Sequence, residues 1–306
     1  MNALKKLWTP APPVPWLLGA ITLAHLAFGI GVAVVAKAAG KPDLLANFYR
    51  YPGGLYLVGA SAVALWLSSR CWRQFSKTDL LRQAWLLIML AAGANLVGSL
   101  CSHVLGVYTP LNPLMHTTTG WPGPAIKLLA RVGLLLDGPF QMALLACGLS
   151  FVLRAYRRSG LFPHLNRWTW LLAGALMLYT VHEAKLLQVL LRTGKVSGGF
   201  QLLGWPSDPL LIVLLFQAFC ILRPVIGTGW GLIAKCWGAF AAGIVLHALG
   251  DILAAWQGNP SAAFSTLGWC AWFLAAAAYA LGPAYQLEAF RQVLEDSRNV
   301  NARRAA

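Results

Sequence analysis

A histidine and an aspartate four residues apart in an apolar run form the pair best placed for chemistry: His247-Ala248-Leu249-Gly250-Asp251. On a helix this spacing puts both side chains on one face. There the carboxylate can orient the imidazole, relay a proton or share a metal ion. A metal would need at least one further ligand. The same pair also reads as an interhelical hydrogen-bond unit that fixes a bundle, and both readings stand. A second apolar run carries His182, Glu183 and Lys185. Neighbouring helical residues point about 100° apart, so His182 and Glu183 cannot share one partner. Glu183 can meet His247 or Asp251 across a bundle, and Lys185 lies near enough to a membrane interface to snorkel. His247, Asp251, Glu183 and His182 are therefore the candidate polar cluster. Asp208 precedes Pro209, and Asp137 precedes Gly138-Pro139. Both are placed as helix N-caps, where the dipole favours a carboxylate.

Other polar residues are scattered. His25 and His103 lie in separate apolar runs. Facing histidines can hold a b-type haem, and a lone histidine on an apolar helix can equally be a packed, hydrogen-bonded residue. Nothing in the sequence requires a haem, a metal or any other cofactor. Asn95, Gln141, Gln188 and Gln217 read as interhelical glue. Gly29 and Gly31, Gly93 and Gly98, and Gly243 and Gly250 permit close helix approach. The six cysteines form no CxxC pair or metal knuckle and read as small apolar packing residues. No phosphate loop, HExxH helix or GxSxG elbow is present.

The elements that hold these residues follow from composition. Of 306 residues, 58% are hydrophobic and 11% charged, where a soluble domain has roughly a quarter charged. Mean hydropathy is +0.63. One soluble core cannot hide that much apolar surface, but a bilayer can. The expected fold is all-α, a polytopic transmembrane helix bundle. Eight apolar runs, at about 16–38, 53–69, 84–107, 134–153, 168–191, 208–222, 230–256 and 264–286, are each near the 20 or so residues a span needs. Strand-like alternation is absent, and lipid satisfies no backbone polar group, so helices are the answer. Pro42, Pro52, Pro110, Pro113, Pro122, Pro163, Pro206, Pro224 and Pro260 punctuate the runs. A Pro-rich lead (1–15) and an amphipathic tail (287–306) flank the bundle.

The formal charge of +15 comes in bursts between runs, not in one basic stripe. Arg70, Arg73, Lys77 and Arg82 follow the second run, and Arg154, Arg157, Arg158 and Arg167 the fourth. Arg223 and Lys235 follow the sixth, and Arg291, Arg298, Arg303 and Arg304 lie in the tail. Residues 107–124 and 257–264 carry no Lys or Arg. The positive-inside rule then puts the basic loops and both termini in the cytoplasm, with the chain in a bacterial inner membrane. Anionic lipid headgroups, not nucleic acid, are the natural counter-charge. Lys5, Lys6, the first apolar run and Ala36-Lys37-Ala38 also have the layout of a cleavable signal, although the run is longer than usual.

The chain repeats itself. Tyr51-Pro52-Gly53, Trp121-Pro122-Gly123 and Trp205-Pro206-Ser207 each lead into an apolar run that ends on an arginine, and Trp85, Trp170 and Trp237 mark neighbouring helix starts. These are helix hairpins repeated in one orientation. The middle unit carries extra residues, 125–136, with Lys127 and Arg131 four apart. This insert reads either as an interfacial amphipathic helix or as part of one long span.

From Trp205-Pro206-Ser207-Asp208 through His247-Ala248-Leu249-Gly250-Asp251 to Leu267-Gly268-Trp269, the last 130 or so residues resemble the multi-pass membrane sensory regions at the N-terminus of many bacterial diguanylate cyclases and phosphodiesterases. The likeness lies in an aromatic-Pro-x-Asp start, a later helix ending in a polar Asp turn, and a Gly-Trp opening of the last span. It implies a sensor module binding a small lipophilic ligand in the outer half of the bundle. No output domain follows, so the tail with Glu288, Arg291, Glu295 and Asp296 would address a separate cytoplasmic signalling partner. Two other readings remain: an intramembrane lipid hydrolase or transferase using His247, Asp251 and Glu183, and a transporter subunit.

Overall fold

The structure, a computed structural model, describes residues 13–101, 132–133, 135–161, 171, 174, 177–178, 207–227, 231–255 and 262–305. These are almost entirely helical and include no strand. In chain order the helices are α1 (Pro13–Ala38), α2 (Pro42–Phe48), α3 (Gly54–Gln74), α4 (Leu80–Ser99), α5 (Gln141–Arg158), α6 (Ser207–Gly227), α7 (Leu232–Ala255) and α8 (Ala262–Ala305). Two π-helical turns, Tyr49–Gly53 and Leu136–Phe140, lead directly into α3 and α5. Six stretches are long and apolar enough to cross a bilayer: Val14–Ala38, Tyr51–Gln74, Leu80–Ser99, Leu136–Arg158, Leu232–Asp251 and Thr266–Glu295. Pro209–Val225 is a shorter apolar helix. This is the architecture of a multi-pass membrane helix bundle. Most of the 168–191 run lies outside the described residues.

Local chemistry sets the helix ends. Asp79 caps α4, its carboxylate accepting from the Leu81 amide at 2.8 Å. Gly40 and Gly160, both at positive φ, close α1 and α5. In each case the next residue's amide reaches back five positions, Lys41 to Ala36 and Leu161 to Tyr156. Two prolines that read as breakers lie inside helices, Pro224 within α6 and Pro52 within the first π turn, and so do Pro283 in α8 and Pro139 in the second π turn. Neighbouring helices supply the packing that lets membrane helices tolerate proline. The tail is not a separate element either. α8 runs unbroken from the membrane-length segment to Ala305.

Packing makes a ring. α3 packs on α4, α4 on α5, α5 on α6, α6 on α7 and α7 on α8, and α8 closes on α3. α1 lies outside the ring against α2 and α8. The larger core joins Trp85, Ile88, Leu149, Val152, Leu214, Ile221, Trp237 and Ile244 from four consecutive helices of the ring, α4 to α7. Trp85 and Trp237, which mark equivalent positions in the sequence repeat, meet there with ring centroids 6.0 Å apart. A smaller core holds α1 and α2 on α8, through Ala36, Leu45, Phe48, Tyr49, Trp269 and Phe273. Leu17, Leu23, Val34 and Val35 of α1 are mostly exposed, as a lipid-facing helix requires. At the end of the ring away from its polar cavity, arginines lie over aromatic rings: Arg70 over Trp66, Arg82 over Trp72 and Arg154 over Phe151, at 4.9–5.2 Å.

The α7–α8 contact is the tightest, because glycines on one helix receive rings from the other. A Cβ on Gly243 would lie 2.9 Å from the Tyr279 ring, and one on Gly250 would run into Trp272. A Cβ on Gly282 of α8 would be 2.5 Å from Phe240. The three pairs share one antiparallel register, since Gly250 is seven residues beyond Gly243 and Tyr279 seven beyond Trp272. Two turns of helix separate those two contacts, and the Phe240–Gly282 pair lies three residues, about one turn, to the other side.

Candidate functional site

At the end of the ring opposite the basic residues, the six helices part around a cavity of about 350 Å³. Each contributes near the same end: Leu57 and Ser61 of α3, Asn95 and Ser99 of α4, Gln141 and Met142 of α5, Ser207 of α6, His247 and Asp251 of α7, and Trp269, Trp272, Ala275, Ala276 and Tyr279 of α8. Asp137 and Gly138 of the second π turn complete the wall. A narrow crevice of about 40 Å³ continues deeper between Ala64, Ile88, Ala91, Leu145 and Phe240. It shares Ser61, Asn95, Gln141, Met142, Ala276 and Tyr279 with the main cavity. The ionisable groups thus lie towards the helix ends, and the deeper floor is apolar apart from Ser68.

The pair expected on α7 is present. His247 Nε2 lies 3.6 Å from Asp251 Oδ2, an ion-pair distance without a hydrogen bond. Their side chains keep 22% and 35% of their surface accessible, the share opened by the cavity inside the ring. Asp251 takes its hydrogen bond from another helix, with Trp272 Nε1 donating to Oδ1 at 3.0 Å. Gly250 makes that bond possible, since a larger residue would meet the indole.

Asp137 has a different position from the N-cap expected of it. Leu135 before it is already helical, so Asp137 lies within a helical stretch and not at its start. The break comes one residue later, at Gly138 with φ −107° and ψ −105°, followed by Pro139, which has no amide to donate. Ser99 Oγ lies 3.4 Å from Asp137 Oδ1 and 3.1 Å from Asn95 Oδ1, and Gln141 Nε2 donates to the Asp137 carbonyl at 2.6 Å. The turn is pressed onto α4. A Cβ on Gly98 would be 2.6 Å from the Asp137 amide nitrogen and 2.9 Å from its Cα. Asp137 is also within electrostatic reach of His247 and Asp251.

Of the predicted cluster, the structure brings His247 and Asp251 together and adds Asp137 to them. Glu183 and His182 lie outside the described residues, as do Lys185 and His103. Asp208 is in the first turn of α6, one residue after Ser207. His25 lies away from this cavity, its imidazole stacked on Tyr56 at 4.3 Å and on Phe48 at 5.3 Å, with Phe273 edge-on at 4.7 Å. Among the described residues, no three His, Cys, Asp or Glu side chains converge to hold a metal ion.

Residues the sequence reading passed over as glue, or did not single out, make up much of the wall: Asn95 with Ser99, Gln141, Trp272 and Tyr279. A signal was there. Asn95 and Ser99, Asp137 and Gln141, and His247 and Asp251 are three polar pairs at i, i+4, at the end of α4, the start of α5 and the end of α7. The chain matches no known family, and none of the curated proteins or solved structures matches it.

Proposed function

We propose that this chain is an inner-membrane sensory protein with eight spans in repeated hairpins, both termini cytoplasmic. It binds a small lipophilic ligand in the outer-half cavity and reports occupancy through its last helix to a cytoplasmic partner. The observation that carries this reading is the continuity of α8. Trp269, Trp272, Ala275, Ala276 and Tyr279 form one wall of the cavity, and the same helix runs on past Glu288 and Arg291 to Ala305. At 1.5 Å per residue its 44 residues span about 66 Å, well beyond a hydrocarbon core of about 30 Å. A ligand that displaces Trp272 or Tyr279 therefore pushes on a lever that leaves the membrane. Further support comes from the cavity lying opposite the basic loops and from the resemblance of the C-terminal part of the sequence to sensory regions of cyclic-dinucleotide enzymes.

The test fills the cavity and reads the tail. A spin label at Leu294→Cys, in a background without native cysteines, would be followed as Ala276→Phe is introduced. Altered label mobility or distance to a second label supports transmission. An identical spectrum with and without the bulky side chain sinks it.

A transporter is the second reading, favoured by one observation. The helix that carries Asp137 is broken at Gly138-Pro139 beside the cavity, and broken helices at the binding site are typical of secondary transporters. Counterflow of solute into proteoliposomes, abolished by Asp137→Asn, would favour it over sensing.

A further inference from the structure

The geometry points to a lipophilic cation, with one amine or quaternary ammonium head on an apolar body, as the ligand of this cavity; the inference rests on the ligand-binding reading above. Charge is the first reason. Among the described residues lining the cavity, the ionisable groups are Asp137, Asp251, His247 and Tyr279, with no Lys or Arg. His247 supplies at most one positive charge against two carboxylates. In a cavity walled by helices, an unmatched charge costs several kcal/mol. A cation from outside balances that charge in place of a proton.

The hydrogen-bonding groups point the same way. The amide N–H of Gln141 is already committed to the Asp137 carbonyl, and the indole N–H of Trp272 to Asp251. Ser99 directs its hydroxyl at the side-chain oxygens of Asn95 and Asp137. These three donors are spent on the wall itself, while carboxylate oxygens remain for a guest. An anion would meet two carboxylates and, among the described lining residues, no Lys or Arg. An ammonium would find carboxylates on two sides.

The third reason is aromatic. Trp269 and Trp272 stand edge to face, 87° apart with centroids at 5.2 Å, and form a corner of the cavity two to three turns of α8 away from Tyr279. Indole faces beside carboxylates are the usual surroundings of alkylammonium groups. The volume of about 350 Å³ is at the small end for organic ligands. The crevice of about 40 Å³ between Ile88, Ala91 and Leu145 gives the cavity a small apolar extension.

Three near-isosteric probes separate the possibilities: benzyltrimethylammonium, neutral neopentylbenzene and anionic phenylmethanesulfonate. Each would be titrated by equilibrium dialysis onto the full chain in phosphatidylcholine nanodiscs, with empty discs as the blank. The cation is expected to bind roughly tenfold or more tightly than the neutral isostere, the value of one charge-assisted contact. Asp251→Asn, which keeps an acceptor for Trp272, should erase most of that preference while leaving the neutral probe's affinity unchanged. Asp137→Asn should act in the same direction. If the neutral probe binds as well as the cation, and Ala276→Phe blocks both, the lipophilic cavity stands and the cation inference falls. A tighter sulfonate overturns it as well. If none of the three binds saturably, the cation inference and the ligand-binding reading fall together.

Discussion

Trp272 donates its indole N–H to the carboxylate of Asp251 across the α7–α8 interface, and it does so over a glycine. The three residues form a unit in which Gly250 provides the seat, Trp272 the donor and Asp251 the acceptor. The bond fixes which way the carboxylate faces and leaves its second oxygen towards His247. Substituting Trp272→Phe keeps most of the ring and removes the donor. It should lower stability by about 1 kcal/mol, the usual scale for a polar contact between membrane helices. Gly250→Ala should cost more, because its methyl group would force the indole out. Thermal unfolding in detergent measures both. The order is the test, and a Gly250→Ala protein as stable as the parent would show that the interface yields more easily than its packing indicates.

The second π turn gives a sharper comparison. Gly98 faces the backbone of Asp137, which cannot rotate away as a flexible side chain can. Gly93, five residues earlier, faces only Leu65 Cδ1 at 3.7 Å, an ordinary contact. Gly98→Ala should therefore shift the turn, weaken any ligand bound at the cavity by roughly tenfold or more and destabilise the protein by about 1–3 kcal/mol, the range for overpacking. Gly93→Ala should be nearly neutral. Equal effects of the two substitutions would mean that Asp137 is not held where Gly98 presses on it.

Much of this was legible in the sequence, for reasons of range. The all-helical membrane bundle and the His247–Asp251 pair depend on composition or on i, i+4 spacing, which are local. The ring closure of α8 onto α3 and the meeting of Trp272 with Asp251 depend on contacts between distant segments. Asp137 illustrates the limit. Asp-Gly-Pro is a sound N-cap signal by local rules, but here the helix has already begun at Leu135, and the same carboxylate faces a serine on another helix. Hydropathy also ended the last span near residue 286, where charges begin, although a helix needs no apolar surroundings to continue into water. Glu288 and Arg291, 2.6 Å apart, support the extension from its surface.

Orientation is open to direct chemical test. The positive-inside rule puts Thr78, in the basic turn between α3 and α4, on the cytoplasmic side, and Lys41, between α1 and α2, outside. Both positions are exposed. In a cysteine-free background, Lys41→Cys should react with a membrane-impermeant maleimide on intact cells, and Thr78→Cys only after permeabilisation. The reverse pattern would turn the cavity towards the cytoplasm and remove the outward-facing sensor.

The remaining expectation concerns α1, which the ring does not enclose. Its attachment is narrow. Thr22 and Tyr56 share a hydrogen bond at 2.9 Å, Tyr56 donates to the Phe273 carbonyl at 3.3 Å, and His25 stacks among Tyr56, Phe48 and Phe273. His25 Nε2 is buried with no hydrogen-bond partner among the described residues. The ring's shape, not its polarity, therefore holds α1 in place. His25→Phe should keep the stack and remain within about 1 kcal/mol of the parent, because a volume-conserving swap is tolerated. His25→Ala should cost about 2 kcal/mol or more by leaving a void. A disulfide engineered between α1 and α3 would report the loosening as slower formation in the alanine variant. If His25→Phe proved as damaging as His25→Ala, the imidazole nitrogen would be doing chemistry that packing does not explain, and the axial-ligand reading of this histidine would return.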